Sequence, residues 1–462
     1  MKKYYLCNVK LKIKIMKKIV SLLLIIMSVG AFAQHTLKGT MDPPENFKWI
    51  MLYQLQGAKQ EYIANTDIVD GHFGFNLADS LSSGIYRLIY DLDQNLFVDV
   101  IYNKEDIAFT FNPKFPQSAI KFERSKENTI YHNYLATIEQ PQAKLDSLQV
   151  AYFSANTEDK KNIQKLYAEF HAEFIEVQQK NEAAANGSLA AHFIKASTRF
   201  NATKPIESAQ RYLVQLKSHF FDYIDFSDPV LLNSTFINDK INDYIFYLSG
   251  SEDKATNHKL QTEAITVVMD KIKENLKLSQ DVQEGLLYAY STVESTELIT
   301  FLLDNYYTKL PVEYQDIAFK TEIESKLKTA IGSIAPDIKW GSKSLLTLAP
   351  KDYYIIAFWS SSCSHCQVEM PLLYNFIKER DPNTTVLAVG LEDATSKADW
   401  EHQIVKYPGW EHILGLGKWD FEYAKIYGIH ATPTFFVLDK DKKVIAKPDD
   451  VDELKAYFGQ LK

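Results

Sequence analysis

The spacing of apolar residues changes twice along this chain, and that change constrains its fold more than any single residue does. From about Thr36 to Phe122 the apolar positions fall in short alternating or continuous runs, as in Trp49-Ile-Met-Leu-Tyr53, Gly84-Ile-Tyr-Arg-Leu-Ile-Tyr90 and Leu96-Phe-Val-Asp-Val-Ile-Tyr102. Turn formers separate them at Asp42-Pro43-Pro44, Asp70-Gly71-His72 and Ser82-Ser83-Gly84, the pattern of an antiparallel β-sandwich-like domain. Between about Ser125 and Thr329 glycine and proline thin out and the period lengthens. Ile163, Leu166, Phe170, Phe174 and Val177 fall on one helical face, and Asn156-Thr157-Glu158-Asp159 supplies the start signal. Leu260–Leu276 and Glu297–Tyr307 repeat this behaviour, so a domain of several antiparallel helices is expected. Ile331-Gly-Ser-Ile-Ala-Pro-Asp337 then breaks the helical period and opens a segment where strands alternate with helices, the sign of an α/β unit. The expected fold class is therefore multidomain α+β. No fixed-period repeat or low-complexity tract is present, which argues against a solenoid.

At 462 residues the chain is long enough for two or three domains. The first 33 read as a targeting segment. Met16-Lys17-Lys18 is a short basic region, Ile19 to about Val29 an apolar run, and Ala31-Phe32-Ala33 a cleavage site. That run is shorter than the ~20 residues that span a bilayer, so no stable membrane span is expected after cleavage. Met1–Ile15 adds five lysines without improving the signal, which makes Met16 a plausible start of translation. The expected divisions are a signal peptide at 1–33, a β-sandwich-like domain at 34–124, a helical domain at 125–330 and an α/β domain at 331–462. The expected location is the periplasm.

Removing the signal takes away seven lysines and no acids, leaving 44 basic against 59 acidic residues, a net charge of −15. Nucleic acid is excluded as a natural partner. Of three cysteines, Cys7 leaves with the signal, so the exported chain keeps Cys363 and Cys366 alone. A protein bound for an oxidising compartment that builds no structural bridges, yet keeps one pair two residues apart, uses that pair for chemistry. So small a loop restricts an unfolded chain little.

Tyr353-Tyr-Ile-Ile-Ala-Phe-Trp359 reads as a buried strand, Ser360-Ser361-Ser362 as a connection, and Cys363 to about Arg380 as an amphipathic helix. Cys363 then sits at a helix N-terminus, where unsatisfied N–H groups and the positive end of the helix dipole favour its thiolate, the attacking species. Cys366 follows on the same face, within reach to resolve a mixed disulfide. His365, protonated or donating a hydrogen bond, would tune the Cys363 thiolate.

Phe358-Trp359-Ser-Ser-Ser-Cys363-Ser-His-Cys366-Gln-Val-Glu369-Met-Pro371 resembles the active-site segment of TlpA/ResA-type thioredoxin-like oxidoreductases, and Gly332-Ser-Ile-Ala-Pro-Asp337 resembles that family's domain opening. The resemblance covers about residues 331–462. The pattern of the first domain is similar to small β domains that precede thioredoxin-like modules in Bacteroidetes envelope proteins. The resemblance implies a thioredoxin-like fold and thiol-disulfide exchange through Cys363 as nucleophile and Cys366 as resolving cysteine, with no cofactor and no metal. It also implies exported protein thiols or disulfides as clients, an upstream membrane electron donor or acceptor, and a role as reductant more than oxidant. Gly428-Ile-His-Ala-Thr432-Pro433-Thr-Phe-Phe-Val-Leu438 resembles the family's cis-proline strand, so Trp359, Thr432 and Pro433 are expected at the substrate surface, Thr432 through its backbone. Glu369 matches a position where the ResA branch carries a glutamate that tunes the second thiol, and it is expected to accept the Cys366 proton. Minimal thioredoxins carry a buried acid two positions before the tryptophan; this chain has Ala357 there. The family also inserts a strand and a helix between the cysteines and the proline, which Thr384–Tyr407 can supply.

A second reading is copper or zinc handling, with the CxxC pair as soft ligands. One pair supplies two thiolates where a closed zinc site takes four ligands, and no second CxxC or H-x3-H cluster stands in the chain. Peroxiredoxin chemistry has a faint echo in Ser360-Ser-Ser-Cys363, against which the adjacent second cysteine argues. An adhesive or scaffolding role for the two N-terminal domains is a further alternative.

Overall fold

The computed structural model describes residues 35–116, 118–380 and 383–461, and the expected signal segment with Cys7 and Met16 lies outside the described residues. The chain forms two compact units, the first ending at Ser251 and the second beginning at Glu252. The helices between residues 125 and 330 are shared between them.

The first unit opens with eight strands: β1 (His35–Met41), β2 (Trp49–Gln56), β3 (Lys59–Asp67), β4 (His72–Leu77), β5 (Gly84–Asp91), β6 (Leu96–Tyr102), β7 (Ile107–Phe111) and β8 (Ile120–Arg124). They make two four-stranded sheets, ordered β4-β1-β7-β8 and β3-β2-β5-β6. Pairing is antiparallel except between β1 and β7, which run parallel. The period of two buries alternate residues, as in β4, where Phe73, Phe75 and Leu77 turn inward. Those side chains meet Leu37, Tyr86, Tyr90, Tyr102, Phe109 and Phe111 in one core. Asp70 and Gly71 both have positive φ and close a two-residue hairpin between Val69 and His72, the geometry that suits the twist of the flanking strands.

The helix Lys126–Ser154 is fastened to these sheets by its first turn. Glu105 accepts from the Ser125 hydroxyl at 2.6 Å and from the Lys126 and Glu127 amides at 3.1 and 3.2 Å. The buried Asn128 side chain accepts the Ile101 N–H at 2.8 Å and donates to the Ile101 carbonyl at 2.7 Å, so β6 ends on a side chain that imitates another strand. The next helix, Thr157–Ala185, starts where expected, with Asn156 accepting from the Glu158 and Asp159 amides. Its buried stripe is rotated from the predicted one: Tyr167, Phe174 and Gln178 are inside while Leu166 is exposed. Hydrophobicity alone ranks Leu above Tyr, but packing against Leu145 of the preceding helix selects the Tyr167 side.

In the second unit the predicted helix Leu260–Leu276 is two helices, Lys254–Ile272 and Leu276–Thr292. Asn275 caps the second by accepting the Leu278 N–H, and the apolar residues on either side of this short break disguised it. Thr296–Asn305 and Ile317–Lys328 follow. The chain then pairs a short hairpin, β9 (Lys339–Trp340) with β10 (Lys343–Ser344), and builds a five-stranded sheet from β11 (Tyr353–Trp359), β12 (Thr384–Glu392), β13 (Glu411–Leu416), β14 (Thr434–Asp439) and β15 (Val444–Ala446), ordered β13-β12-β11-β14-β15. β11, β12 and β13 are parallel; β14 and β15 complete the sheet antiparallel. β12 and the helix Lys397–Ile404 fall within the segment expected to supply the insertion.

Both faces of the sheet are covered. Ile355, Ala357 and Trp359 pack with Cys366, Met370, Leu373 and Phe458 on one side, while Tyr354, Ile356 and Phe358 pack with Tyr427 and Ile429 on the other. At Gly390 a Cβ would come within 2.1 Å of the Trp400 indole nitrogen, so only glycine lets that ring lie against β12. The helices before residue 331 also join this unit. Ser325 donates to the Lys425 carbonyl at 3.0 Å, Glu294 pairs with Lys447 at 2.7 Å, and Gly428 faces Ser325 closely enough that a Cβ would touch it at 3.4 Å.

Replacing Asn128 by alanine strands a buried N–H and a buried C=O on Ile101, at a cost of about 2 kcal/mol or more. The expected result is a lower urea midpoint for the first unit and faster hydrogen exchange of the Ile101 amide; an unchanged exchange rate there would refute the clamp.

Candidate active site

The site lies at the C-terminal end of β11. Ser360-Ser361-Ser362 turns the chain away from the sheet, and the helix Ser364–Arg380 begins immediately after Cys363. The Cys363 amide donates to the Ser360 carbonyl at 3.2 Å, and the Cys363 carbonyl accepts the Gln367 N–H at 3.1 Å. Cys363 thus occupies the capping position, and its Sγ accepts the Cys366 N–H at 3.3 Å. A sulfur there meets the unsatisfied donors of the first turn, as expected for a thiolate site.

The two thiols differ in kind. Cys363 is partly exposed while Cys366 is fully buried. Burial acts to raise the Cys363 pKa, but hydrogen bonds from the Cys366 thiol and amide, the Thr432 side chain and the His365 amide outweigh it, and the net shift is downward. Cys366 is pushed up to about 12, first by burial and then by its hydrogen bond with Cys363. The exposed sulfur is prepared to attack and the buried one to keep its proton.

The other predicted residues are placed as follows. The Thr432-Pro433 peptide is cis, and the Cys363 thiol donates to the Thr432 carbonyl at 3.3 Å. Pro433 is buried, Thr432 is half-buried, and His430 and Ala431 before it are exposed. Trp359, expected at the substrate surface, is instead 2% exposed; its indole meets the Tyr407 ring edge-on at 6.2 Å beneath the site, so it reaches a visiting chain only through the packing it supports. Glu369 is buried one turn below Cys366. Its Oε1 lies 3.7 Å from Nε2 of the largely exposed His365, and its Oε2 accepts the Val451 N–H at 2.8 Å, at the start of the last helix. Ala357 is fully buried in the apolar face. Among the described residues no group of three His, Cys, Asp or Glu side chains is placed to hold a metal ion.

One residue beside the site escaped the sequence reading. Glu392, the last residue of β12, has no solvent exposure and accepts the Ser361 N–H at 2.5 Å and the Ser360 hydroxyl at 3.3 Å. The signal that could have found it is an acid ending an apolar parallel strand, at the carboxyl end of the sheet where functional groups collect.

A parallel-stranded core, a cysteine at the head of the helix after its central strand and a cis proline opposite define a thioredoxin-like domain. A family model described as thioredoxin-like matches residues 351–444. The thiol-disulfide oxidoreductase ResA of Bacillus thuringiensis subsp. konkukian is 27% identical over 154 residues, which cover 32% of this chain and 85% of that protein. Among solved structures, a domain of a possible thiol-disulfide isomerase from Cytophaga hutchinsonii is 32% identical, with coverage of 28% of this chain and 92% of that one and a TM-score of 0.25. The thioredoxin domain of a thiol-disulfide oxidoreductase from Bacteroides vulgatus is 29% identical, with coverage of 29% and 97% and a TM-score of 0.24. The C-terminal domain of this chain is thus a thioredoxin-like domain of the thiol-disulfide oxidoreductase kind, homologous to ResA.

The asymmetry of the thiols predicts their titration. Thiolate fraction rises with pH, so Cys363 alkylation in the reduced protein should reach half its maximal rate below the ~8.5 of a free cysteine, while Cys366 stays unmodified across the same range. Residue-resolved mass spectrometry after timed iodoacetamide pulses reads both, and equal reactivity of the two sulfurs would contradict the site as described.

Proposed function

We propose that this protein exchanges disulfides with exported proteins in the periplasm, with Cys363 as nucleophile and Cys366 as resolving cysteine, and that it works as a reductant. The observation that carries this reading is the position of the Cys363 sulfur: partly exposed, at a helix N-terminus and 3.3 Å from the Thr432 carbonyl. A client chain laid along His430–Thr432, where His430 and Ala431 are exposed beside that sulfur, would pair with this segment as an added strand. His365, Val368 and Leu372 form an exposed stripe on the same helix and offer apolar contact to such a client.

In the reductive direction the Cys363 thiolate attacks one sulfur of a client disulfide. A mixed disulfide forms and the client's other sulfur leaves as a thiolate, which takes up a proton. Cys366 then loses its proton and attacks Cys363 Sγ, releasing the second client thiol and leaving a Cys363–Cys366 disulfide. Two electrons pass to the client, and an upstream membrane electron donor restores the dithiol. Glu369, one turn from Cys366, is the proposed acceptor of the Cys366 proton, with His365 modulating both groups.

The reductant direction rests on the resemblance of the active-site segment to ResA-type oxidoreductases; the pair itself, with Cys363 shifted down and Cys366 pushed up to about 12, is built for exchange and does not set the direction. Export is supported by the leader pattern, and no helix among the described residues is long and apolar enough to cross a membrane.

Cys366→Ser removes the resolving thiol, so that variant, expressed in an oxidising compartment, should accumulate clients as mixed disulfides that a reductant releases, while Cys363→Ser should capture none. Absence of captured protein with Cys366→Ser would count against protein clients, and stoichiometric copper on the wild-type pair would favour metal handling.

A further inference from the structure

We propose that Glu392 is a positioning residue of the cysteine pair: by accepting hydrogen bonds from Ser360 and Ser361 it holds the connection between β11 and the active-site helix in the shape that presents both sulfurs. This inference rests on the reading of Cys363 and Cys366 as the exchanging pair.

The placement is dictated by strand register. Trp359 pairs with Gly390 in the parallel ladder of β11 and β12, so two residues further on Glu392 stands abreast of Ser361. Side chains alternate along β12, and Val386 and Ala388 belong to the core face that holds Cys366 and Met370. Glu392 therefore points to the face that carries the active-site helix. A fully buried carboxylate is costly unless its oxygens are satisfied, and both of its oxygens are used on the connection. Lys418, whose charge is felt at Glu392, is committed to Asp393 at 2.7 Å.

What Glu392 holds is what the sulfurs use. The Ser360 carbonyl accepts the Cys363 amide, which fixes Cys363 at the capping position, and the backbone of Ser360 hydrogen-bonds the Cys366 sulfur. The Ser360 hydroxyl also meets the Ser362 hydroxyl at 3.1 Å, while Gln367 donates to the Ser361 carbonyl at 3.0 Å. The connection is thus closed on both sides, and Glu392 is the anchor that comes from outside it. The other charged or titratable groups around these atoms are His365 and Glu369 from the active-site helix, Asp393 from the end of β12 and Lys418 from the turn after β13. Releasing the anchor lets the turn at Ser360–Cys363 open and lengthens the N–H contacts that stabilise the Cys363 thiolate.

The two ways Glu392 could act predict opposite signs. As an anchor, its loss weakens thiolate stabilisation and moves the Cys363 titration upward; as a mere negative charge, its loss moves it downward. The test is the pH profile of Cys363 alkylation in the reduced full-length protein, with the glutathione equilibrium of the pair as second readout. Glu392→Ala should raise the half-titration point enough to leave about threefold less thiolate at neutral pH. Glu392→Gln, which still accepts the Ser361 N–H and can donate to Ser360, should recover most of that loss, and Asp393→Asn should match wild type. If circular dichroism shows that Glu392→Ala does not fold, Ser360→Ala carries the test, with a smaller shift in the same direction. A profile superimposed on wild type, a downward shift, or a loss in Glu392→Gln equal to that in Glu392→Ala overturns the proposal. A wild-type Cys363 that titrates like a free cysteine strikes the parent reading instead.

Discussion

Strand β11 is paired along both edges, parallel to β12 on one side and antiparallel to β14 on the other, and these two ladders decide which groups meet at its end. Phe358 pairs with Thr434 and Trp359 with Gly390, so continuing each ladder sets Thr432 beside Ser360 and Glu392 beside Ser361. The strand is buried along almost its whole length, and its backbone groups have no water to turn to. A slip of one residue would move Ile355, Ala357 and Trp359 to the opposite face. The core therefore enforces the register, and the register in turn delivers the carbonyl and the carboxylate that flank the cysteines.

Much of this was legible in the amino-acid order because the relevant signals are local. A seven-residue apolar run, three serines and an amphipathic helix led to a cysteine at a helix head, and the Thr432-Pro433 pattern led to a cis proline; both stand where expected. The β-sandwich was readable from alternation and from the Asp70-Gly71 turn. What failed was decided by packing across the chain. Leu166 and Tyr167 are neighbours in sequence, and only packing against the preceding helix selects between them. The break at Lys273–Asn275 was hidden because Ile272 and Leu276, the residues that flank it, are apolar. The spacing of Trp359 from Cys363 says nothing about depth, and only the packed sheet shows that it is buried. Glu392 was overlooked because its partners lie about thirty residues away and exist only once the sheet is formed.

The unequal environments of the two sulfurs arise from one turn of helix. Cys363 sits before the first turn and shares its free donors, whereas Cys366 points into the apolar face shared by Trp359, Met370 and Phe458. The same helix thus supplies a polarising end and an insulating wall, and the two sulfurs are unequal before any client arrives. Glu369 lies on the boundary between these environments, held by the Val451 amide on one side and near His365 on the other.

The contacts that Ser325 and Glu294 make with Lys425 and Lys447 bear on where the folding unit around the cysteines begins. A recombined segment beginning at residue 331 would carry the whole cysteine site but lose the hydroxyl that caps the Lys425 carbonyl and the counter-ion of Lys447, and it would bare the side of Gly428 that Ser325 now covers. The compact unit that carries the cysteine site in this chain therefore starts near Glu252, with the helices before residue 331 built into it.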